Sequence, residues 1–231
     1  TEHLGAYLGF PTISRPEGVF IPWEATKEGA FIVDAAGHRF ADAGAHAYSE
    51  FAERIVDHDA DAVFLIFDGP VDEAMASQPS TADRWANCRE HGVFVSAETP
   101  TDLAQALGID PNGLESTIES LQAVGEPGDT APDGVTRQFA RALEPPFFGT
   151  EISPAVLQTQ GGLVVDEGAR VLDADGEPIP GLFAGGGAAV GLSGSRPSGY
   201  LSGNGLLSAL NLGRIAGRAA ADWATQGNKE Y

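Results

Sequence analysis

Three stretches close to one another decide the fold: Pro180-Gly-Leu-Phe-Ala-Gly-Gly-Gly187, Ser198-Gly-Tyr-Leu-Ser-Gly-Asn-Gly-Leu-Leu207 and Gly213-Arg-Ile-Ala-Gly-Arg218. The first predicts a buried strand that ends in three glycines, where a planar ligand can approach a backbone that carries no Cβ atoms. The second leads into a helix from about Asn204 to Trp223. The unpaired amides and partial positive charge at a helix start suit an anion or a developing negative charge. We therefore expect a strand, a glycine loop and a helix that together hold a ligand.

The sequence before these stretches predicts an α+β region. A strand is expected at 28–34, followed by a turn at 35–37 and a hairpin continued by 39–40. Further strands are expected at 62–67, 161–165 and 169–172. Helices are expected at 47–57 and 81–91, from the spacing of apolar residues. Asp110 followed by Pro111 predicts a further helix, with Asp as the N-cap and Pro in the first turn. Thr99 marks a similar helix start, and residues 125–136 are expected to form a loop.

Composition narrows the class of protein. The chain has 231 residues, of which 42% are hydrophobic, enough for one large domain or two small ones. A formal net charge of −20 argues against nucleic acid as a partner. A single cysteine, Cys88, excludes an internal disulfide, and the five scattered histidines suggest no metal site. Because no run of 18 apolar residues is present, we expect no membrane span. The single cysteine favours a reducing, cytoplasmic location.

The order of these motifs resembles that of the flavoprotein family of fumarate reductases, tricarballylate dehydrogenases and 3-ketosteroid dehydrogenases. The glycine loop and helix start are similar to the family's C-terminal FAD signature. Ala30-Phe-Ile-Val-Asp34 and Gly37-His-Arg-Phe-Ala-Asp42 resemble the segment that enters its capping domain. Pro145-Pro-Phe-Phe148 and Thr159-Gln-Gly-Gly-Leu163 resemble the return into the FAD domain. The resemblance covers about residues 28 to 222.

The resemblance implies an α/β fold: the C-terminal part of a Rossmann-like FAD-binding domain plus an α+β capping domain. Residues 1–31 and 151–231 would belong to the FAD domain, and residues 32–150 would form the cap over the substrate. The implied cofactor is FAD. The implied reaction is hydride transfer between flavin N5 and a carbon adjacent to a carbonyl. The resemblance therefore implies that the chain is part of an FAD-dependent oxidoreductase that acts on CH–CH groups.

The resemblance also implies a set of site residues. Tyr200 would hydrogen-bond the activating carbonyl of the substrate, and no metal ligand is expected. The cofactor-binding residues would be Gly161, Gly162, Gly185, Gly186, Gly187, Ser202, Gly203, Asn204, Gly205, Leu206 and Leu207. The glycines could instead form an ordinary loop, and Tyr200 could be a buried aromatic residue that only packs.

Four departures from the family pattern affect these expectations. The strand and Gly-x-Gly-x-x-Gly that hold the pyrophosphate are not found, so we expect the adenine-binding half in another stretch or in a partner chain of a hetero-oligomer. Gly187 stands where the family usually has an acidic residue. Tyr200 replaces the arginine by which fumarate reductases bind a carboxylate, and Gln158 replaces a histidine.

Several functions stay open at this point. The acidic composition and the lack of an evident arginine cluster favour a neutral ketone or enone as the small-molecule substrate. The alternatives are a polycarboxylate dehydrogenase or reductase and a non-catalytic partner subunit without a cofactor of its own.

Overall fold

The computed structural model describes residues 7–137 and 141–227. The chain divides into two compact units, one of which is Phe10–Ala155. The other combines the stretch up to Gly9 with the stretch from Val156 onward. The predicted domains, 1–31, 32–150 and 151–231, divide the chain at other positions, and their functional assignment stays a prediction. Residues 1–6, 138–140 and 228–231 of those domains lie outside the described residues.

The described residues form a mixed α/β fold, as predicted. Its first eleven elements are β1 Tyr7–Ser14, α1 Ala25–Glu28, β2 Phe31–Asp34, α2 Tyr48–His58, β3 Val63–Asp68, α3 Gly69–Ser77, α4 Ala82–Glu90, β4 Val95–Ala97, α5 Pro100–Leu107, α6 Pro111–Gln122 and β5 Phe147–Thr159. The remaining ones are β6 Arg170–Leu172, β7 Pro178–Phe183, two short 3-10 turns at Gly186–Ala188 and Pro197–Gly199, and α7 Asn204–Gly227.

A five-stranded sheet organises the larger unit. Its strands follow the order β1-β5-β3-β2, and β4 also pairs with β5. The pairs β2–β3, β3–β5 and β4–β5 are antiparallel, with Phe31 opposite Ile66 and Val63 opposite Ile152. Strand β3 is central, which explains its continuous apolar sequence.

The two faces of β3 belong to two hydrophobic clusters. Val63, Leu65 and Phe67 pack in one cluster with helix residues such as Trp85. Phe64 and Ile66 pack in the other with residues of α5 and α6. Because successive side chains of a strand point to opposite faces, β3, the strand predicted to be buried, contributes to a different hydrophobic core on each face of the sheet.

Helix starts in this unit follow the predicted capping chemistry. The Thr99 side chain accepts a hydrogen bond from the Asp102 amide at the start of α5. The Asp110 carboxylate accepts bonds from the amides of Asn112 and Gly113 at the start of α6. The expected helices at 47–57 and 81–91 are present as α2 and α4.

Some predictions of local structure were wrong. Residues 39–40 do not continue a hairpin, because β2 pairs with β3 and the Arg39 guanidinium instead binds Asp133 through two hydrogen bonds of 2.9 Å. Glu28 ends the short helix α1 rather than beginning a strand. Residues 161–165 make only isolated bridges, and most of β7 is exposed rather than buried.

The helices and strands that were not predicted are α1, α3, β1, β4 and the long strand β5. The predicted domain boundary between residues 150 and 151 falls within this strand of 13 residues. Pairing with both β3 and β4 stabilises β5 from its two sides, and this tertiary contribution is invisible in the local sequence.

Candidate functional site

The candidate site lies in the unit that contains β6, β7 and α7. The segment around Leu163 lies beside the chain that follows β7: its amide donates to Ala188 O at 2.9 Å, and its carbonyl accepts from Val190 N at 3.0 Å. Gly191 N donates to Gln160 O at 2.8 Å. These bonds hold the residues before Leu163 against the glycine-rich loop.

Two glycines of this region allow chain segments to approach each other closely. A Cβ atom on Gly162 would lie 2.4 Å from the carbonyl oxygen of Ala189, and one on Gly185 would lie 3.0 Å from Leu212 Cβ. A side chain at either position would force the segments apart. These two glycines therefore have a packing role, whereas a Cβ atom on Gly187 would meet no atom within 4 Å.

A cleft lies at the start of α7, which we call the α7 cleft. Its lining residues are Gln158, Thr159, Gln160, Gly186, Gly187, Ala189, Gly191, Leu192, Asn204, Gly205 and Ser208. Asn204 is the first residue of α7, and its side-chain amide donates to Ser193 Oγ at 3.1 Å. The first amides of a helix have no acceptor within the helix, so the cleft offers donors and a partial positive charge.

Gln160 is a cleft residue with an unusual environment. It is only 4% exposed, and no hydrogen-bond partner is found for its side-chain nitrogen Nε2. Its side-chain oxygen lies against Gly191, where an added Cβ atom would be 2.2 Å from Oε1. Gln160 was not among the predicted site residues. Its place directly before Gly161 and Gly162 in the motif could have drawn attention to it.

The predicted cofactor-binding residues separate into two groups. Gly186, Gly187, Asn204 and Gly205 line the α7 cleft together. The others are not among its lining residues: Gly161, Gly162, Gly185, Ser202, Gly203, Leu206 and Leu207. Leu206 and Leu207 are 74% and 54% exposed, so they present apolar surface rather than a polar pocket.

Tyr200 lies between the second 3-10 turn and α7. It is buried, with 6% exposure, and its backbone amide donates to Pro197 O at 3.0 Å. Tyr200 is not among the residues that line the α7 cleft. Its catalytic role stays a prediction.

Apolar side chains are exposed along this unit. Leu192, Leu201 and Leu210 are 65–75% exposed, and Trp223 on α7 is 51% exposed. Among the described residues, β7 pairs only with β6, and its Leu182 is 42% exposed. Large apolar side chains exposed in such numbers are typical of a surface that further structure covers.

The residues of the α7 cleft fit the pyrimidine edge of a flavin. That edge carries hydrogen-bond acceptors and gains negative charge on reduction, and a helix start stabilises negative charge. Gln160, which lines the cleft, carries a buried donor, Nε2, for which no acceptor is found. Small residues at 186 and 187 leave room beside these donors.

Comparison with known proteins identifies the family. A family model described as an FAD binding domain matches residues 8–206, so the chain belongs to the FAD binding domain family. The chain is 28% identical over 215 residues to the fumarate reductase (cytochrome) of Shewanella frigidimarina, covering 93% of this chain and 36% of that protein. It is 36% identical over 135 residues to the NADH:acrylate oxidoreductase of Vibrio harveyi, covering 58% of this chain and 13% of that protein.

A solved structure shares the fold. The 3-ketosteroid delta1-dehydrogenase from Sterolibacterium denitrificans, in complex with 1,4-androstadiene-3,17-dione, matches with a TM-score of 0.64 and 22% identity. The match covers 94% of this chain and 43% of the dehydrogenase. The chain thus spans less than half the length of each of these proteins.

These comparisons confirm the predicted family and its FAD cofactor, and the related proteins named above are oxidoreductases. The specific substrate stays open. No helix in residues 7–137 and 141–227 has the length and apolar character that a membrane crossing needs. Within the same ranges, no cluster of three or more His, Cys, Asp or Glu could hold a metal ion.

Proposed function

We propose that this chain supplies the flavin-facing helix and the substrate cap of an FAD-dependent oxidoreductase. In this proposal the unit from Val156 onward is the C-terminal part of a Rossmann-like FAD-binding domain, and Phe10–Ala155 contains the α+β capping domain. The observation that carries the proposal is the α7 cleft, where a helix start, glycines and an unpaired amide donor meet. The adenine-binding half would come from another stretch of the same protein or from a partner chain.

The proposed reaction is hydride transfer between the flavin and a carbon adjacent to a carbonyl. Bound FAD supplies the hydride acceptor or donor at N5. The Gly205 amide and the partial positive charge of the helix start would bind the pyrimidine edge and stabilise the negative charge that reduction places there. Tyr200 would donate a hydrogen bond to the activating carbonyl of the substrate, whose oxygen gains negative charge as the adjacent carbon loses a proton or as an enone accepts the hydride.

A neutral ketone or enone is the proposed substrate class, as in a ketosteroid dehydrogenase. The chain carries a net charge of −20, which disfavours the approach of a polyanion. No arginine is among the lining residues of the α7 cleft. A carboxylate substrate is the second candidate, and the names of the fumarate and acrylate oxidoreductases among the relatives support it.

Stopped-flow spectroscopy of the whole protein tests the proposal. The bound flavin is reduced photochemically without oxygen and then mixed with a 3-keto-4-ene steroid, a simpler cyclic enone, fumarate or acrylate. The reverse reaction is tested with oxidised flavin and the saturated ketones. We expect a saturable change of the flavin spectrum with the ketone pair.

Each other outcome selects an alternative. Reoxidation by fumarate or acrylate alone would replace the ketone with a carboxylate. A protein that binds FAD but reacts with none of these compounds would contradict the proposed reaction. A whole protein without flavin would support the non-catalytic partner subunit.

A further inference from the structure

Gln160 carries a buried hydrogen-bond donor that the protein does not satisfy. The residue is 4% exposed, and no acceptor for Nε2 is found. Leaving a buried polar group unpaired costs about 1–3 kcal/mol. A neighbouring polar residue of the same cleft, Gln158, is exposed to solvent and has no such cost.

Gln160 is one of the residues that line the α7 cleft. The α7 cleft brings Gln160 together with Asn204 and Gly205 at the helix start and with Gly186 and Gly187. The backbone of Gln160 is fixed by the bond from Gly191 N to its carbonyl at 2.8 Å. Its side-chain oxygen lies close to Gly191, which lines the same cleft.

From this arrangement we infer that Gln160 is a positioning residue for the flavin. Its side-chain amide donates a hydrogen bond to an acceptor on the pyrimidine half of the isoalloxazine. This inference rests on the proposed function, and it adds a residue that the motif resemblance does not assign. The bond orients the ring against the start of α7. Because the pyrimidine acceptors become more negative on reduction, the bond also favours the reduced flavin.

The alternative is that Gln160 is structural and its amide is satisfied within the protein. The two cases predict opposite results for the Gln160→Met change, which keeps the length of the side chain and removes the donor. If Nε2 is unpaired without flavin, its removal leaves the flavin-free protein equally stable or more stable. If Nε2 is paired within the protein, the same change destabilises the flavin-free protein and leaves the flavin unaffected.

The experiment uses the whole protein, with and without FAD. For Gln160→Met we expect an unchanged or higher unfolding midpoint of the flavin-free protein and an FAD dissociation constant about five- to tenfold higher, the effect of one hydrogen bond. If the reduced flavin loses about tenfold more affinity than the oxidised flavin, the two-electron midpoint potential falls by about 30 mV. Gln160→Leu repeats the deletion with a different shape.

Gln105→Met is the matched control, because Gln105 is exposed on α5 in the other unit. It should change none of the three quantities. A destabilised flavin-free protein together with an FAD affinity and potential within twofold and a few millivolts of the wild type would overturn the inference alone. Failure of the wild-type protein to bind FAD would instead defeat the proposed function and this inference together.

Discussion

Asp68 illustrates how one residue can hold several segments. It is fully buried at the end of β3, and its carboxylate receives hydrogen bonds from the Arg141 guanidinium, from Glu144 N at 2.9 Å and from Val71 N at 3.3 Å. It therefore caps α3 and fixes the chain that leads into β5. A buried carboxylate is stable only when its acceptor sites are filled in this way.

The Asp68→Asn change should destabilise the unit Phe10–Ala155. It removes the charge opposite Arg141 and replaces one acceptor oxygen with a donor, so we expect a loss of about 3 kcal/mol. Denaturant unfolding measures this loss as a change in the free energy of unfolding. Asp57→Asn, on the exposed side of α2, is the control and should change stability by less than about 0.5 kcal/mol. Equal effects of the two changes would show that the Asp68 network contributes little.

Cys88 should be chemically inert in the folded protein. It is fully buried, and burial raises the pKa of its thiol to about 11 from a usual value of 9.0. Each pKa unit changes the thiolate fraction about tenfold, so at pH 8 this fraction falls about a hundredfold. The thiolate is the reactive form of cysteine. Alkylation by iodoacetamide should be slow until the protein is unfolded in denaturant. Rapid labelling of the native protein would contradict this burial.

A single substitution at Tyr200 can distinguish a packing role of this residue from a catalytic role. The Tyr200→Phe change keeps the buried ring and deletes only the hydroxyl. If that hydroxyl donates to the substrate carbonyl, the rate of flavin reduction by substrate should fall about 10²–10³-fold. Folding and FAD binding should be retained.

The control for this measurement is the FAD affinity of the variant, which should match that of the wild type. A rate loss smaller than about threefold, or roughly 0.7 kcal/mol, would remove Tyr200 from the catalytic residues. The residue would then be a packing aromatic, in keeping with its 6% exposure.

At the scale of elements, α6 depends on close contact with the turn that follows β2. Asp110 N donates to Ala35 O at 2.9 Å, and Thr117 Oγ1 donates to Gly37 O at 2.6 Å. A Cβ atom on Gly113 would lie 1.8 Å from Ala36 O. Gly37 has a φ of +80° and would place a Cβ atom 2.3 Å from the α6 backbone. Glycine is therefore required on both sides of the contact.

The Gly113→Ala change should destabilise the protein even though alanine is the better helix former. The helix propensity of alanine would contribute about 1 kcal/mol in favour of the variant. Displacing α6 from the turn should cost about 3 kcal/mol, so the contact dominates. Gly125→Ala is the control, since an added Cβ atom there meets nothing within 4 Å. A Gly113→Ala protein as stable as the wild type would show that α6 can shift freely.

Elements with local signals could be predicted from the sequence. Capping by Thr99 and Asp110, the apolar run of β3 and the helix beginning at Asn204 all depend on neighbouring residues. Strand β5 and the partner of β2 depend on pairing across long sequence separations, so local patterns missed them. The predicted burial of β7 failed for a related reason: in the described residues only β6 pairs with it.

Only some of the residues that line the α7 cleft could be expected from the sequence, because the others depend on contacts in the folded structure. Glycines 186 and 187 and the start of α7 are signalled by the motif, and they do line one cleft. Gly162 and Gly185 lie close to Ala189 and Leu212, and their contact with the cofactor stays a prediction. The isolated amide of Gln160 could not be predicted, because burial without a partner is a property of the folded structure.

At the scale of the whole molecule, one explanation accounts both for the exposed leucines and for the chain matching only part of the length of its relatives. Leu206, Leu210 and Trp223 leave apolar surface on α7 uncovered in the described chain, and the chain spans 36% of the fumarate reductase it resembles. Apolar patches of this kind are usually buried by further structure. We expect further structure, from the same protein or from a partner chain, to cover them.

The central claim is that the α7 cleft holds the flavin of FAD, and cofactor release tests it most directly. The whole protein is purified, its cofactor is released by heat, and the supernatant is separated by chromatography beside FAD and FMN standards. We predict FAD in a ratio of about one per protein, with a lower ratio after dialysis for Gln160→Met than for Gln105→Met. Recovery of FMN alone, or a protein without flavin, would contradict the account.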